Sequence, residues 1–251
     1  MSLAVKLALT PVLLAQGLLT RARMPRLPEA QGPRAGRVGS GHRLRLLVAG
    51  DSSAAGVGVA HQRDALAAPL AAQLAALAGV CVDWQLLARS GLNTADTLAM
   101  LQAEPPGDLQ ADVAVIVTGV NDVTGQVPSQ RALAVRQALA NWLRNACGVQ
   151  HVAFCPLPPV HAFPGLPQPL RWVAGADARR HNDALREWTS TRGDVSCVDM
   201  QLPLDPAAMA DDGFHPGAPA YRWCADAIAR HLAAQDWRAD HTHINVPETT
   251  R

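Results

Sequence analysis

Beyond residue 41, short apolar runs alternate regularly with helical stretches, and this alternation constrains the fold more than any other feature of the chain. The apolar runs lie at residues 44–49, 80–87, 113–118, 151–155 and 195–198. Strands that are covered on both faces appear as continuous apolar runs of this kind. The helical stretches lie at residues 65–78, 95–103, 129–146, 171–189 and 218–234. The pattern predicts an α/β fold in which a parallel sheet of about five strands has helices on both faces.

The chain divides into three regions by composition. Residues 1–41 form an apolar segment followed by a basic, Pro- and Gly-rich linker, residues 42–235 form one folded domain, and we expect the polar tail at 236–251 to be disordered. The net charge of +1 does not indicate nucleic-acid binding. The five cysteines show neither CxxC nor Cys/His metal spacing, so we predict buried reduced thiols and no metal site.

The N-terminal segment combines an apolar stretch with a concentration of positive charge. Residues 7–19 carry no charged group, and residues 1–50 contain eight basic groups against one acidic group. Three interpretations stay open: contact with a membrane surface or a short anchor, a cleaved signal, or a helix docked on the domain. Basic groups after the apolar stretch favour a cytoplasmic, membrane-associated protein. The alternative is a periplasmic or secreted protein, if residues 1–20 act as a signal.

Four short motifs stand where the predicted strands end. They are Gly50-Asp51-Ser52-Ser53, the turn around Gly91, Gly119-Val120-Asn121-Asp122 and Asp212-Gly213-Phe214-His215-Pro216. A serine on a turn between strand and helix can expose its hydroxyl at the edge of the sheet. An aspartate three residues before a histidine can orient the ring as a base for such a serine. Taken singly, each motif is more often an ordinary turn or helix cap.

Taken together and in this order, the four motifs resemble those of the SGNH/GDSL hydrolase family. The resemblance covers about residues 42–234 and implies a flavodoxin-like, three-layer α/β/α sandwich. One position differs, because Ser53 stands where the family often has leucine after its serine. This difference affects the expected substrate preference more than the expected activity.

The resemblance also implies a role for each site residue. Ser52 would attack an ester carbonyl, His215 would act as the base, and Asp212 would orient His215. The backbone N–H groups of Ser52 and Gly91 and the side-chain amide of Asn121 would donate hydrogen bonds to the oxyanion. No metal or organic cofactor would be required.

The sequence is less specific about the substrate. Residues 156–169 contain six prolines and are predicted to form a stiff wall beside the site. Phe163, Leu166 and Trp172 are predicted either to line an acyl pocket or to pack this loop onto the domain. A small or lipid-like carboxylic ester, as for an esterase or lysophospholipase, is the favoured substrate, and a thioester or an O-acetylated carbohydrate is the alternative.

Two further interpretations are weaker. Gly56 and Gly58 resemble the start of a nucleotide-binding GxGxxG motif, but His61 occupies the position of the third glycine. A family member without activity is disfavoured because all five expected site residues are present. The oligomeric state stays open.

Overall fold

A computed structural model describes residues 3–105, 107–200 and 205–235. Within these residues the chain forms a sheet with the strand order β1-β3-β2-β4-β5-β6. The strands are β1 (Ala35–Gly39), β2 (Arg43–Gly50), β3 (Cys81–Ala88), β4 (Val113–Val117), β5 (His151–Phe154) and β6 (Val195–Cys197). All neighbouring strands are parallel except β1 and β3, which are antiparallel. Without β1, the order is that of a flavodoxin-like doubly wound sheet, which confirms the predicted fold class.

Helices cover both faces of the sheet. They are α1 (Leu3–Arg23), α2 (Ser52–Ala55), α3 (Ala67–Ala78), α4 (Thr94–Gln102), α5 (Val120–Thr124), α6 (Ser129–Cys147), α7 (Leu170–Thr189) and α8 (Ala218–Ala233). Alternate residues of β2 serve two cores: Leu46 and Val48 pack towards α3 and α8, while Leu47 and Ala49 pack with α6 and α7. The five predicted strands and five predicted helices are confirmed to within two residues. The sequence missed α2 and α5, which are too short to show helical periodicity.

The linker prediction is wrong for the residues that form β1. This strand pairs with β3 along its whole length, from Ala35 opposite Gln85 to Gly39 opposite Cys81. The residues just before it are also fastened to the domain, since the backbone N–H of Ala30 donates to the carbonyl of Ala55. Glycine and arginine made this stretch resemble a linker, but hydrogen bonding to an open sheet edge does not require an apolar pattern. The predicted tail at 236–251 lies outside the described residues.

The apolar N-terminal segment forms α1, which lies against α7. Among the described residues, no helix has the combination of length and hydropathy needed to cross a bilayer. The five cysteines are free thiols, as predicted; three are buried and two, Cys81 and Cys197, are half-buried.

Candidate active site

Ser52 lies at the carboxyl end of β2, on the turn into α2. A side chain at Gly50 would clash with the carbonyl of Val117, so only glycine lets β2 and β4 approach this closely before the turn. The Asp51 carboxylate caps α2 by accepting the backbone N–H of Ser53 at 3.0 Å. The turn therefore holds Ser52 as the first residue of a helix at the edge of the sheet.

Asp212 and His215 lie on a tight turn that precedes α8. The Asp212 Oδ1 atom accepts the backbone N–H groups of Phe214 and His215, each at 2.9 Å. Gly213 has φ +60°, a conformation that favours glycine. The N–H of Gly165 donates to the carbonyl of Gly213 at 3.0 Å, which ties this turn to the proline-rich loop.

The three side chains form one hydrogen-bonded chain. Ser52 Oγ lies 2.9 Å from His215 Nε2, and His215 Nδ1 lies 2.6 Å from Asp212 Oδ2. An ionised carboxylate only accepts hydrogen bonds, so the ring proton sits on Nδ1 and Nε2 accepts from the serine hydroxyl. The His215 ring forms its hydrogen bond with the hydroxyl of Ser52 and not with the neighbouring hydroxyl of Ser53. This arrangement provides a base beside a hydroxyl and an acid that orients the base.

The buried Asp212 carboxylate is held in its charged form. Burial by itself would raise the pKa of Asp212, but the hydrogen bonds from the His215 ring and from two backbone N–H groups outweigh it and lower the pKa. Its side chain is fully buried, whereas that of His215 keeps some exposure to solvent. The carboxylate is therefore available to stabilise a positive charge on His215.

Asn121 lies in the same cavity, in the first turn of α5. Its Nδ2 atom donates one hydrogen bond to the carbonyl of Leu92 at 2.8 Å, and a second N–H remains on that nitrogen. The role of Gly91 as an oxyanion donor stays a prediction. Gly91 is exposed, has φ +85° and does not line the pocket that contains Ser52. Its loop is nevertheless tied to the Ser52 turn, because the N–H of Arg89 donates to the carbonyl of Gly50.

An apolar pocket of about 110 Å³ opens at the Ser52 hydroxyl. Ser52, Asn121 and His215 lie at its polar end, together with Phe163 and four prolines of the proline-rich loop, which confirms that this loop borders the site. The pocket then extends into the core between the sheet and α8. Its inner walls are formed by Leu66, Cys155, Ala220, Tyr221, Cys224 and Ile228, all of them buried.

Only one of the three predicted substrate-binding residues lines this pocket. Phe163 does, and its ring packs edge-on against that of Phe214. Leu166 instead packs in a small core beneath the loop, and Trp172 is 44% exposed on α7. For Leu166 the alternative interpretation, packing of the loop onto the domain, is therefore the one that the structure supports. Trp172 lies outside both the lining of this pocket and the small core beneath the loop.

Sequence reasoning missed the buried polar groups that support Asn121. The Asp122 carboxylate accepts from both the N–H and the hydroxyl of Thr94, at 3.1 and 2.7 Å. Behind it lies Arg136, which is 1% exposed, and burial lowers the pKa of its guanidinium against the opposing effect of the Asp122 charge. An arginine within an ordinary amphipathic helix gives no sequence signal that it is buried.

The glycines of the partial nucleotide motif have structural roles here. Gly56 has φ +83° and ends α2, and Gly58 has φ +105°. A side chain at Gly58 would clash with the carbonyl of Pro216, next to His215. Within the described residues, no group of three His, Cys, Asp or Glu side chains is placed to hold a metal ion.

Asp51 makes the stability of the protein sensitive to pH. Burial, assisted by the nearby charge of Asp122, raises the pKa of Asp51 to about 7. The folded state thus binds this proton more tightly than the unfolded chain, whose pKa is about 4. Stability contributed by the protonated form is therefore lost as the pH rises from about 4 to 7.

We expect Asp51→Asn to flatten this pH dependence, because the amide is neutral and its oxygen can still cap Ser53. Between pH 5 and pH 8, the wild type should lose on the order of 2 kcal/mol more unfolding free energy than the variant. Denaturant unfolding at both pH values measures the difference. If the stability of the two proteins changed with pH in the same way, Asp51 would not be the cause of the pH dependence.

The fold and the site together define a class of protein. A Ser–His–Asp hydrogen-bonded chain at the carboxyl edge of a parallel sheet is the arrangement of hydrolases that use a serine nucleophile. The family model of the GDSL-like lipase/acylhydrolase family matches residues 48–223. The chain belongs to this family.

Known relatives agree with this assignment. The chain is 31% identical over 222 residues to GDSL-like esterase Rv1075c of Mycobacterium tuberculosis; the match covers 82% of this chain and 66% of that protein. Its fold is similar to that of the lipase Lip_vut3 from a goat rumen metagenome, with a TM-score of 0.61, 19% identity and coverage of 76% and 98% of the two chains. It is also similar to Axe2, an acetylxylan esterase from Geobacillus stearothermophilus, with a TM-score of 0.53, 19% identity and coverage of 79% and 97%.

Proposed function

We propose that the protein hydrolyses carboxylic esters through an acyl-enzyme on Ser52, and that the acyl group is an aliphatic chain held in the apolar pocket. The observation that carries the proposal is the unbroken chain of hydrogen bonds from Ser52 through His215 to Asp212, at the mouth of that pocket. The geometry meets the requirement for a nucleophile, a base and a group that orients the base.

In the proposed reaction, Ser52 Oγ attacks the ester carbonyl carbon while its proton passes to His215 Nε2. The free N–H of Asn121 stabilises the negative charge that develops on the carbonyl oxygen. His215 then gives its proton to the leaving alkoxide as the carbon–oxygen bond breaks, and an ester on Ser52 remains. Water, deprotonated by His215, hydrolyses this ester and restores the serine hydroxyl. Asp212 stabilises the positive charge on His215 during both steps.

The shape and lining of the apolar pocket support an aliphatic acyl group. Among the described residues of its inner wall, the hydroxyl of Tyr221 is paired, because it donates its proton to the carbonyl of Val57 at 2.7 Å. Burial also keeps the thiols of Cys155 and Cys224 neutral, since it raises both their pKa values. Such an inner wall can take up methylene groups without leaving the tyrosine hydroxyl unpaired. The acetyl group of an O-acetylated sugar would occupy only the mouth of the apolar pocket, so we place carbohydrate deacetylation second.

A series of p-nitrophenyl esters from acetate to decanoate tests the proposed function. We expect hydrolysis of these esters, with kcat/KM rising from acetate towards butyrate and octanoate. Ala220 lines the pocket at its buried side, and Ala220→Leu should fill part of it. The variant should lower kcat/KM for octanoate by about 10–100-fold while changing that for acetate much less, as expected when methylene groups lose their place in a pocket.

Ala227→Leu is the matched control, since residue 227 lies on the same helix but does not line the pocket. It should leave the chain-length profile unchanged. A wild type that prefers acetate sharply, or a profile that Ala220→Leu does not shift, would overturn the aliphatic assignment. Absence of hydrolysis across the series would overturn the proposed activity itself.

A further inference from the structure

The side of α1 that faces the domain combines two half-buried leucines with polar side chains that bond to the domain. The Lys6 ammonium pairs with Asp177 at 2.6 Å, and Gln16 forms two hydrogen bonds with the start of α7 and the residues before it. One of these runs from Gln16 Nε2 to the carbonyl of Gln168, and the other from the N–H of Leu170 to Gln16 Oε1. An amphipathic helix on a globular domain normally buries its apolar side. In α1 most of the large apolar side chains are exposed instead, while the charged Lys6 side chain faces the domain.

The opposite side of α1 is apolar and faces solvent. Its large side chains, which we call the leucine face, are Leu7, Val12, Leu14, Leu18 and Leu19, and all five are exposed. The three leucines Leu7, Leu14 and Leu18 share one row of the helix and are 63–71% exposed. Exposed apolar patches of this extent on soluble proteins mark sites of interaction.

Three arginines continue the leucine face at the end of the helix. They are Arg21, Arg23 and Arg26, all exposed, and we call them the basic cluster. Arg21 follows Leu18 by three residues and Arg23 follows Leu19 by four, so both extend rows of the leucine face. Within the described part of the chain, none of the three forms an ion pair.

The structure separates this cluster from the other positive charges near the N-terminus. Arg34 pairs with Glu29, and Arg37 and Arg43 both pair with Asp83. Arg45 similarly pairs with Asp112. These arginines pair within the fold, so among the basic side chains of residues 1–50 the unpaired positive charge lies beside the leucine face.

We infer that α1 docks the protein onto an anionic phospholipid surface. The leucine face would lie at the boundary between headgroups and acyl chains, and the basic cluster would contact lipid phosphates. Charge complementarity selects this occupant, because an apolar strip that ends in unpaired arginines matches the layered chemistry of an anionic membrane. The helix has 21 residues and is about 30 Å long, which gives the strip room to lie along the surface.

Docking in this orientation would bring the membrane close to the active site. Leu19, Thr20 and Arg23 share a cleft with the loop at residues 164–167 and with Asp212. Pro164 belongs both to this cleft and to the wall of the apolar pocket. Only this consequence, delivery of a lipid-like ester from the membrane to the pocket, rests on the proposed function. The docking itself does not.

Sedimentation of the full chain with lipid vesicles tests the inference. We expect binding to vesicles that contain phosphatidylglycerol, little binding to pure phosphatidylcholine, and weakening by salt. The double variant Leu14→Asp/Leu18→Asp and the triple variant Arg21→Gln/Arg23→Gln/Arg26→Gln should each lower the partition coefficient about 100-fold. Leu77→Asp is the matched control, since Leu77 is a similarly exposed leucine on α3, and it should bind like the wild type.

Hydrolysis of a soluble p-nitrophenyl ester, measured in parallel, should be unchanged in all these variants, which separates docking from the proposed activity. Equal binding to neutral and anionic vesicles would overturn the inference. A wild type that ignores vesicles but dimerises through the leucine face would overturn it as well, by showing that a second copy covers this face. In that case Leu14→Asp/Leu18→Asp would give a monomer.

Discussion

Replacing Ser52 by alanine should lower kcat for ester hydrolysis by about 10⁴–10⁶-fold, the range expected when the nucleophile of a Ser–His–Asp site is removed. The oxygen that lies 2.9 Å from His215 is lost, and no other group in the pocket stands at that position. Alanine keeps the helical conformation of the first residue of α2, so thermal unfolding should change little. Initial rates with p-nitrophenyl butyrate measure the effect.

Ser53→Ala is the control that the chain itself offers. Its hydroxyl also lines the pocket but is not the one bonded to His215, so we expect activity within about threefold of the wild type. A fluorophosphonate probe provides a second measurement. Attack by Ser52 Oγ on phosphorus releases fluoride and should label the wild type and Ser53→Ala once each, but not Ser52→Ala. If Ser52→Ala kept its activity, or Ser53→Ala lost it, the nucleophile would be wrongly assigned.

Asp212→Asn should lower kcat by about 10³–10⁴-fold, because an amide that donates to His215 Nδ1 would favour the wrong ring tautomer. The wild-type pKa of Asp212 is lowered by its hydrogen bonds, which outweigh the effect of burial, so the carboxylate stays charged at neutral pH. The loss in kcat should therefore be of similar size from pH 6 to pH 9. Steady-state kinetics over this range provide the measurement.

The neighbouring carboxylate gives the control for this variant. Asp211 is exposed and Asp211→Asn should leave kcat unchanged. A group with a depressed pKa contributes stability above its unfolded pKa of about 4, and that stability is lost as the pH falls through the folded pKa. Asp212→Asn should accordingly be less stable than the wild type at pH 7, with the difference shrinking towards pH 3. Full activity in Asp212→Asn would exclude the orienting role.

Short sequence motifs identified the site residues whose relative positions are set by neighbours in the chain. Asp212 and His215 lie three positions apart on one turn, and Ser52 lies two residues after the end of a strand, so the motif largely specifies the arrangement. The resemblance implies an oxyanion donor at Gly91, which is exposed and is not among the residues that line the pocket, and this role stays a prediction. Its proposed role depends on the approach of two loops, and a spacing along the chain does not specify that approach.

Predictions that depended on packing between segments far apart in the chain were less accurate. Among Phe163, Leu166 and Trp172, only Phe163 lines the pocket, because the path of the proline-rich loop decides which side chains turn inward. The residues that do form the inner wall, such as Ile228 and Leu66, come from α8 and from the segment before α3. Each of these looks like an ordinary core residue in sequence, since any core position of a helix has the same apolar pattern.

The sequence by itself determined the succession of strands and helices along the chain, and it identified the family. It also placed the Ser52, Asn121 and Asp212–His215 motifs at strand or helix ends. Those features follow from periodicity and from short turns, which act between residues close in the chain. Tertiary structure alone decided that residues 35–39 join the sheet and that Arg136 is buried. It also decided which face of α1 points to solvent. These outcomes depend on contacts between residues far apart in sequence, where burial and ion pairing are set by the partner and not by the residue itself.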